Sequence, residues 1–215
     1  MSESHPEGFL AVPKSSEGPG VLLLHAWWGL NNTMKAFCTR LADSGFITFA
    51  PDLYHGQVAD TIPGAEALGS TLDENYLQAE AEIAEATRFL AERVGRTYSG
   101  LAVIGFSLGA YYALNLAATD PEHIRSVVLF YGTGGGEYIN SRAAYLGHFA
   151  EKDEFEPRSN VDDLEKTLRS AGHLVTFYHY SGTGHWFCEP DRPEYNQAAT
   201  TLAWERTLAF LRRDE

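Results

Sequence analysis

Leu101-Ala102-Val103-Ile104-Gly105-Phe106-Ser107-Leu108-Gly109-Ala110 is the stretch on which the reading of this chain turns. Leu101 to Ile104 is an apolar run of strand length, and helix-forming apolar residues follow Gly109. Between the two lies Gly-x-Ser-x-Gly. A serine hydroxyl thrust out of so sharp a turn leaves little room for neighbouring side chains. Gly105 and Gly109 supply that room and tolerate strained backbone angles. The turn also sets Ser107 at the start of a helix, whose unbonded amides and dipole favour a developing oxyanion. The same five-residue pattern arises by chance in ordinary turns. The strand before it and the helix after it are what mark Ser107 as a candidate nucleophile.

The 215 residues suit one compact domain, 1–215, with a sizeable core. With 44% hydrophobic and 21% charged residues the composition is that of a globular protein rather than a disordered or fibrous one. The net charge of −13 argues against nucleic acid and anionic membrane surfaces as partners. It also works against long-range capture of strongly anionic substrates. The segment Met1 to Gly8 is polar and acidic, unlike a secretory signal, and no apolar run reaches about 18 residues. Cys38 and Cys188 form neither a disulfide framework nor a metal-ligand pattern. The expectation is a cytoplasmic protein with reduced thiols and neither metal nor organic cofactor. Its oligomeric state stays open between a monomer and a small homo-oligomer.

Working outward from the elbow, strand and helix alternate. Phe9 to Val12 reads as a short edge strand, and Val21 to His25 as a strand covered on both faces. A loop with two large aromatics follows, Ala26-Trp27-Trp28-Gly29-Leu30-Asn31. Thr33 to Ser44 is helical by the spacing of Met34, Phe37, Cys38 and Leu41, with Gly45 to end it. Phe46 to Ala50 is a strand stopped by Pro51. Asp52 to Ser70 shows no period and reads as a long loop of the kind that often forms a flap. Thr71-x-x-Glu74 has the form of a capping box opening a helix to Val94, with Ile83, Ala86, Leu90 and Val94 inward. After the elbow helix, Leu108 to Ala118, come a strand at Ser126 to Phe130 and a glycine-rich loop at Gly132 to Gly136. A strand at Ala144 to Ala150 leads to a helix through Val161, Leu164 and Leu168. A last strand spans Leu174 to Tyr180, and a terminal helix Tyr195 to Arg213. This alternation predicts an α/β fold: a mostly parallel twisted sheet with helices on both faces and no cap domain.

Serine is a weak nucleophile without a base beside it. The strand–Gly-x-Ser-x-Gly–helix pattern resembles the nucleophile elbow of α/β-hydrolases, and that resemblance implies that the acid and then the base follow the serine in the chain, each beyond the C-terminal end of a strand. His185 fits, in the turn after the last strand. His148 lies inside a strand and packs, His123 falls at the wrong edge of the sheet, and His5 sits in a tail. The acid belongs in the loop after Ala150, where Glu151, Asp153, Glu154 and Glu156 compete and spacing does not choose among them. Its role is to orient the imidazole and stabilise its charged form.

The chain resembles the dienelactone hydrolase family of the α/β-hydrolases over nearly its whole length. The likeness is carried by His25-Ala26-Trp27-Trp28-Gly29-Leu30-Asn31, Ala50-Pro51-Asp52-Leu53-Tyr54 and Gly105-Phe106-Ser107-Leu108-Gly109. Gly147-His148-Phe149-Ala150-Glu151-Lys152-Asp153, Gly184-His185-Trp186-Phe187 and the tail Tyr195 to Leu211 complete it. The resemblance implies Asp153 as the acid and His185 as the base. It also implies an oxyanion hole from the backbone amides of Trp27 and Leu108, the second of which follows the nucleophile as oxyanion stabilisation requires. Three positions depart from the pattern. Family enzymes acting on dienelactones carry a cysteine where this chain has Ser107 and a glutamate where it has Ala26. They hold the substrate carboxylate with arginines, whereas the loop after Tyr54 is His55-Gly56-Gln57. Arg192 remains a candidate for that contact beside its plainer reading as a surface residue.

The resemblance and departures together imply a serine hydrolase of carboxylic esters, with Trp28, Tyr54, Trp186 and Phe187 as candidate walls of a pocket for a small or medium acyl group. A dienelactone hydrolase with an altered nucleophile is the alternative within enzymes. A non-catalytic binding protein on the same fold is the alternative outside them. The expected partner is a small ester or lactone.

Overall fold

The computed structural model describes residues 5–94, 98 and 100–214. The chain divides into two compact units, Met1–Leu101 and Ala102–Glu215.

The first unit holds β1 (Gly8–Ala11), β2 (Gly20–Leu24), α1 (Asn32–Asp43), β3 (Ile47–Pro51), α2 (Ile62–Glu74) and α3 (Tyr76–Val94). β1 pairs antiparallel with β3, and β2 pairs with β3 in parallel. Every residue of β2 and β3 is buried, as in strands covered on both faces; β2 is apolar throughout, and Thr48 is the one polar side chain of β3. Asn31 caps α1 by accepting from the Met34 amide at 3.0 Å, and Met34, Phe37, Cys38 and Leu41 form its buried stripe. Gly45, at φ +102°, takes the left-handed turn after it.

The segment expected to be a loop through Ser70 is helical from Ile62. Thr61 caps α2 by accepting from the Gly64 amide at 3.3 Å, and Pro63 sits in the first turn, where its missing N–H costs nothing. Gly64 and Gly69 read as breakers in the sequence, but Gly69 lies on the buried face, where a Cβ would strike the Trp27 indole. Thr71 is no cap either. Its hydroxyl donates back to the Ala67 carbonyl at 2.9 Å inside α2, and the chain breaks at Asn75 before α3 begins. Ile83, Ala86 and Leu90 face inward on α3 as their spacing predicts.

The second unit holds β4 (Leu101–Phe106), α4 (Leu108–Thr119), β5 (Ile124–Phe130), β6 (Ala144–Ala150), α5 (Arg158–Ser170), β7 (Val175–Tyr180) and α6 (Gln197–Leu211), closed by a 3-10 turn at Arg212–Asp214. β5 and β6 pair in parallel, as do β6 and β7. The strand order is β1-β3-β2 in the first unit and β4-β5-β6-β7 in the second, and the predicted α/β class, mostly parallel strands with flanking helices, holds. Among the described residues no helix is long and apolar enough to cross a membrane.

Two fully buried polar groups of the second unit, His148 and Glu189, have their titrations displaced by burial. His148 on β6 is fully buried between the hydroxyls of Tyr180 (2.8 Å) and Thr207 (2.9 Å), as its place inside a strand predicts. Burial and, after it, the nearby Arg206 push its imidazole down to about 3. Glu189, after β7, is also fully buried and accepts from the Tyr131 hydroxyl at 2.8 Å. Burial pushes its carboxyl up to about 8.

The signs are opposite. The His148 imidazole titrates near 6.5 when unfolded and near 3 when folded, so its contribution is fully present above 6.5 and is lost as pH falls toward 3. Glu189 titrates near 4.5 when unfolded and near 8 when folded, so its ionisation opposes folding increasingly as pH rises from 4.5 through 8. In urea titrations across pH, His148→Asn should flatten the acid slope while lowering stability at neutral pH. Glu189→Gln keeps an acceptor for Tyr131 and should flatten the alkaline slope, leaving the variant more stable than wild type at pH 8 by up to a few kcal/mol.

Candidate active site

Ser107 joins β4 to α4 with φ +49° and ψ −112°, a conformation that a residue with a Cβ rarely holds. The surrounding backbone fixes it. Its amide donates to the Phe130 carbonyl at 2.8 Å, and its carbonyl accepts from the Ala110 amide at 2.9 Å. Gly105 is required, since a Cβ there would strike the Gly109 carbonyl and the Ala110 backbone. Gly132, whose part the sequence did not signal, is required too, since a Cβ there would run into the Ser107 carbonyl.

The serine is also misused by the standard of an ordinary helix start. A serine in the capping position normally accepts from an amide of the first turn. The Ser107 side chain makes no such bond. Its Oγ instead lies 2.8 Å from His185 Nε2. His185 Nδ1 lies 2.7 and 2.9 Å from the two oxygens of Asp153, and the imidazole and carboxylate side chains are each only 5% exposed. An ionised carboxylate only accepts, so the proton on the ring belongs on Nδ1. Nε2 is then left as the acceptor for the serine hydroxyl.

The four competing acids separate by their partners. Glu151 accepts from the Gly182 amide at 2.8 Å. Glu156 holds Thr133 by its amide (2.7 Å) and hydroxyl (3.0 Å), bracing the glycine-rich loop. Glu154 is exposed. Asp153 alone of the four meets His185, and its Oδ1 also accepts the amides of Phe155 (3.0 Å) and Glu156 (2.8 Å), which fixes the carboxylate's direction.

The structure adds residues that pattern reading missed. Tyr131, one residue past β5, packs its ring against the His185 imidazole with centroids 5.1 Å apart, and its hydroxyl reaches Glu189. Phe155 is half exposed and packs on both His185 (5.2 Å) and Trp186 (4.7 Å). Strain marks the same place. The non-glycine residues with positive φ in the described part of the second unit are Ser107, Tyr131 (+38°) and Trp186 (+59°), all in this cluster. An aromatic just after a strand and another two residues after the acid were the available hints.

The other expected residues fall as follows. Leu108 is the first residue of α4. Trp186 and Phe187 are buried beside His185 and Tyr131, and Trp28 and Tyr54 are buried in the first unit. Trp27 follows the Ala26 carbonyl, which accepts from His25 Nδ1 at 2.8 Å and from the Gly29 amide at 3.1 Å. Arg192 is no plain surface arginine. Its side chain is 12% exposed and it pairs with Asp191 at 3.1 Å. Cys38 and Cys188 are both buried, and burial pushes the Cys38 thiol up to about 12, leaving it unreactive. Among the described residues no three His, Cys, Asp or Glu side chains cluster in a way that could hold a metal ion.

Residues 7–214 match the model of the dienelactone hydrolase family. The "Putative carboxymethylenebutenolidase" of Aquifex aeolicus is 34% identical over 213 residues, covering 95% of this chain and 92% of the relative. "Protein usf" of Aquifex pyrophilus is 33% identical over the same length and coverage. Among solved structures, a "Putative Dienelactone Hydrolase" from Klebsiella pneumoniae superposes with a TM-score of 0.83 at 25% identity, covering 96% of this chain and 92% of the other. The match runs from β1 past α6, and on it the chain belongs to the dienelactone hydrolase family of hydrolases.

Proposed function

We propose that this protein is a serine hydrolase that cleaves carboxylic esters of small to medium acyl groups through an acyl-enzyme. The observation that carries the reading is the bond from Ser107 Oγ to His185 Nε2, made by a serine held away from its capping role. In the first half-reaction Ser107 Oγ attacks the ester carbonyl while Nε2 takes its proton. Asp153 holds Nδ1 and stabilises the imidazolium. The tetrahedral oxyanion is met by the Leu108 amide, at the positive end of α4, and, by the family pattern, by the Trp27 amide. Collapse breaks the acyl–oxygen bond, and the alcohol leaves with the proton from Nε2. Water repeats the sequence on the acyl-enzyme, with His185 as base and then acid, and releases the carboxylic acid and Ser107.

Serine at 107 and alanine at 26 belong together in this chemistry. A serine paired with His185 needs no glutamate to hold a resting thiol, and a carboxylate buried beside it would be costly. Phe155, half exposed against His185 and Trp186, offers apolar surface to an acyl group, and we add it to the expected pocket residues. The names of the relatives favour a second reading, hydrolysis of a dienelactone (carboxymethylenebutenolide), whose ring ester opens by the same steps. Against it stand the missing arginine after Tyr54, the engagement of Arg192 with Asp191 and the strongly negative net charge.

Turnover of p-nitrophenyl acetate and butyrate, with a dienelactone alongside, tests both. Ser107→Ala should lose about three or more orders of magnitude in kcat and all labelling by a fluorophosphonate. Asp153→Asn should lose about three to four orders with its fold intact. Wild-type rates in Ser107→Ala would refute the mechanism, and efficient dienelactone turnover with poor ester turnover would give the second reading precedence.

A further inference from the structure

Among the described residues Glu189 is the acidic side chain with no exposed surface, and the mechanism above makes no use of it. Its Oε1 accepts from the Tyr131 hydroxyl at 2.8 Å, while its Oε2 has no hydrogen-bond partner. A buried carboxyl with an oxygen left over is a cost that mere filling of space does not explain. A methionine opposite a phenylalanine would fill the same volume without it.

The placement of the pair accounts for the cost. Glu189 closes the turn that carries the base, its amide donating to the Trp186 carbonyl at 2.8 Å. Tyr131 stands at the end of β5, anchored through its amide to the His148 carbonyl at 2.8 Å, one residue after the carbonyl that holds the Ser107 amide. The Tyr131–Glu189 bond therefore ties the turn after β7 to the end of β5, and β6, which bears the Asp153 loop, lies between those two strands. The tie also presses the Tyr131 ring on the imidazole of His185, and on Phe187 at 5.5 Å. Asp153 holds one edge of the imidazole, and the Tyr131 ring packs against it at a 60° tilt.

We propose that Glu189 is a positioning residue for His185, acting through Tyr131, so that the imidazole keeps the alignment that serves Ser107 and Asp153 together. The inference rests on the serine-hydrolase reading above. Glu189 touches no reacting atom. Its work is to accept one hydrogen bond from a buried phenol, and a displacement of about 1 Å at the base is enough to cost about a hundredfold in rate.

The test uses Tyr131→Phe, Glu189→Met, the double variant Tyr131→Phe/Glu189→Met and Glu189→Gln, each assayed for kcat and KM on p-nitrophenyl butyrate and for thermal stability. Each single variant leaves one polar partner buried alone, so both should lose stability. The double variant replaces both partners with apolar groups of similar shape, and its Tm should equal or exceed that of either single variant. Even so, its kcat should fall about ten- to a hundredfold with KM within about twofold of wild type. Glu189→Gln, which keeps the acceptor, should recover most of that loss. The far-downfield proton resonance of His185 Nδ1–H should weaken or shift in the double variant and persist in Glu189→Gln. A folded double variant with wild-type kcat would overturn the inference, as would a Glu189→Gln no better than Glu189→Met. Ser107→Ala in the same assay separates the two levels. If it keeps wild-type activity the serine reading fails, and if it is dead while the double variant is unimpaired only the role of Glu189 fails.

Discussion

The second unit is built around a backbone that would not hold its shape alone. Ser107 at φ +49° and ψ −112° lies outside the basins of a free chain, at a cost of order 1–3 kcal/mol. Three things over-determine it: the bond of its amide to Phe130 on β5, the first turn of α4 closing on its own carbonyl, and glycines at 105 and 132 that leave room for the packed backbone. Release any of them and the serine would be drawn toward the capping conformation that the start of a helix favours. Its hydroxyl would then serve an amide instead of an imidazole.

The same logic runs through the rest of the cluster. A strand end delivers a side chain to an approximate position, and a local turn then aims it. Asp153 is aimed by the amides of Phe155 and Glu156, and the glycine-rich loop is clamped by Glu156. Tyr131 and Trp186 take positive φ values of their own, and their rings pack against His185, Tyr131 tilted at 60° and Trp186 edge-on at 84°. The strain is shared among three residues and held by many hydrogen bonds, which is how a site keeps its geometry before any substrate arrives.

Much of this was legible in the sequence because it depends on short-range pattern. A continuous apolar run gave β2, a short run stopped by Pro51 gave β3, the spacing of Met34, Phe37, Cys38 and Leu41 gave α1, and the order of Ser107, an acid and His185 gave the candidate triad. What failed did so where a residue's usual role was overridden by its neighbours. Gly64 and Gly69 read as loop, but Gly69 is a contact made close for the Trp27 indole, and the N-cap at Thr61 with Pro63 behind it was the signal to weigh instead. Thr71 and Glu74 match a capping box by letter, yet Thr71 is already inside a helix and bonds backward. The choice of Asp153 over Glu151, Glu154 and Glu156 was out of reach of spacing, because what separates them is which amides each accepts. Tyr131 and Glu189 lie 58 residues apart, and no periodicity links a phenol after one strand to a carboxyl after another.

Glu189 also bears on how the stability of this unit relates to its work. His148 and Glu189, whose titrations burial displaces in opposite senses, are buried groups whose hydrogen bonds fix loops and strands around His185. His148 joins β6 to Tyr180 on β7 and Thr207 on α6, holding together the two strands from whose ends Asp153 and His185 emerge. An apolar core could hold these elements at no electrostatic cost, but dispersion contacts are non-directional and permit small slides that a hydrogen bond of 2.8 Å does not. In the proposed mechanism Asp153 and His185 must meet within hydrogen-bonding distance from separate loops. Directional bonds beneath them are a physical route to that alignment.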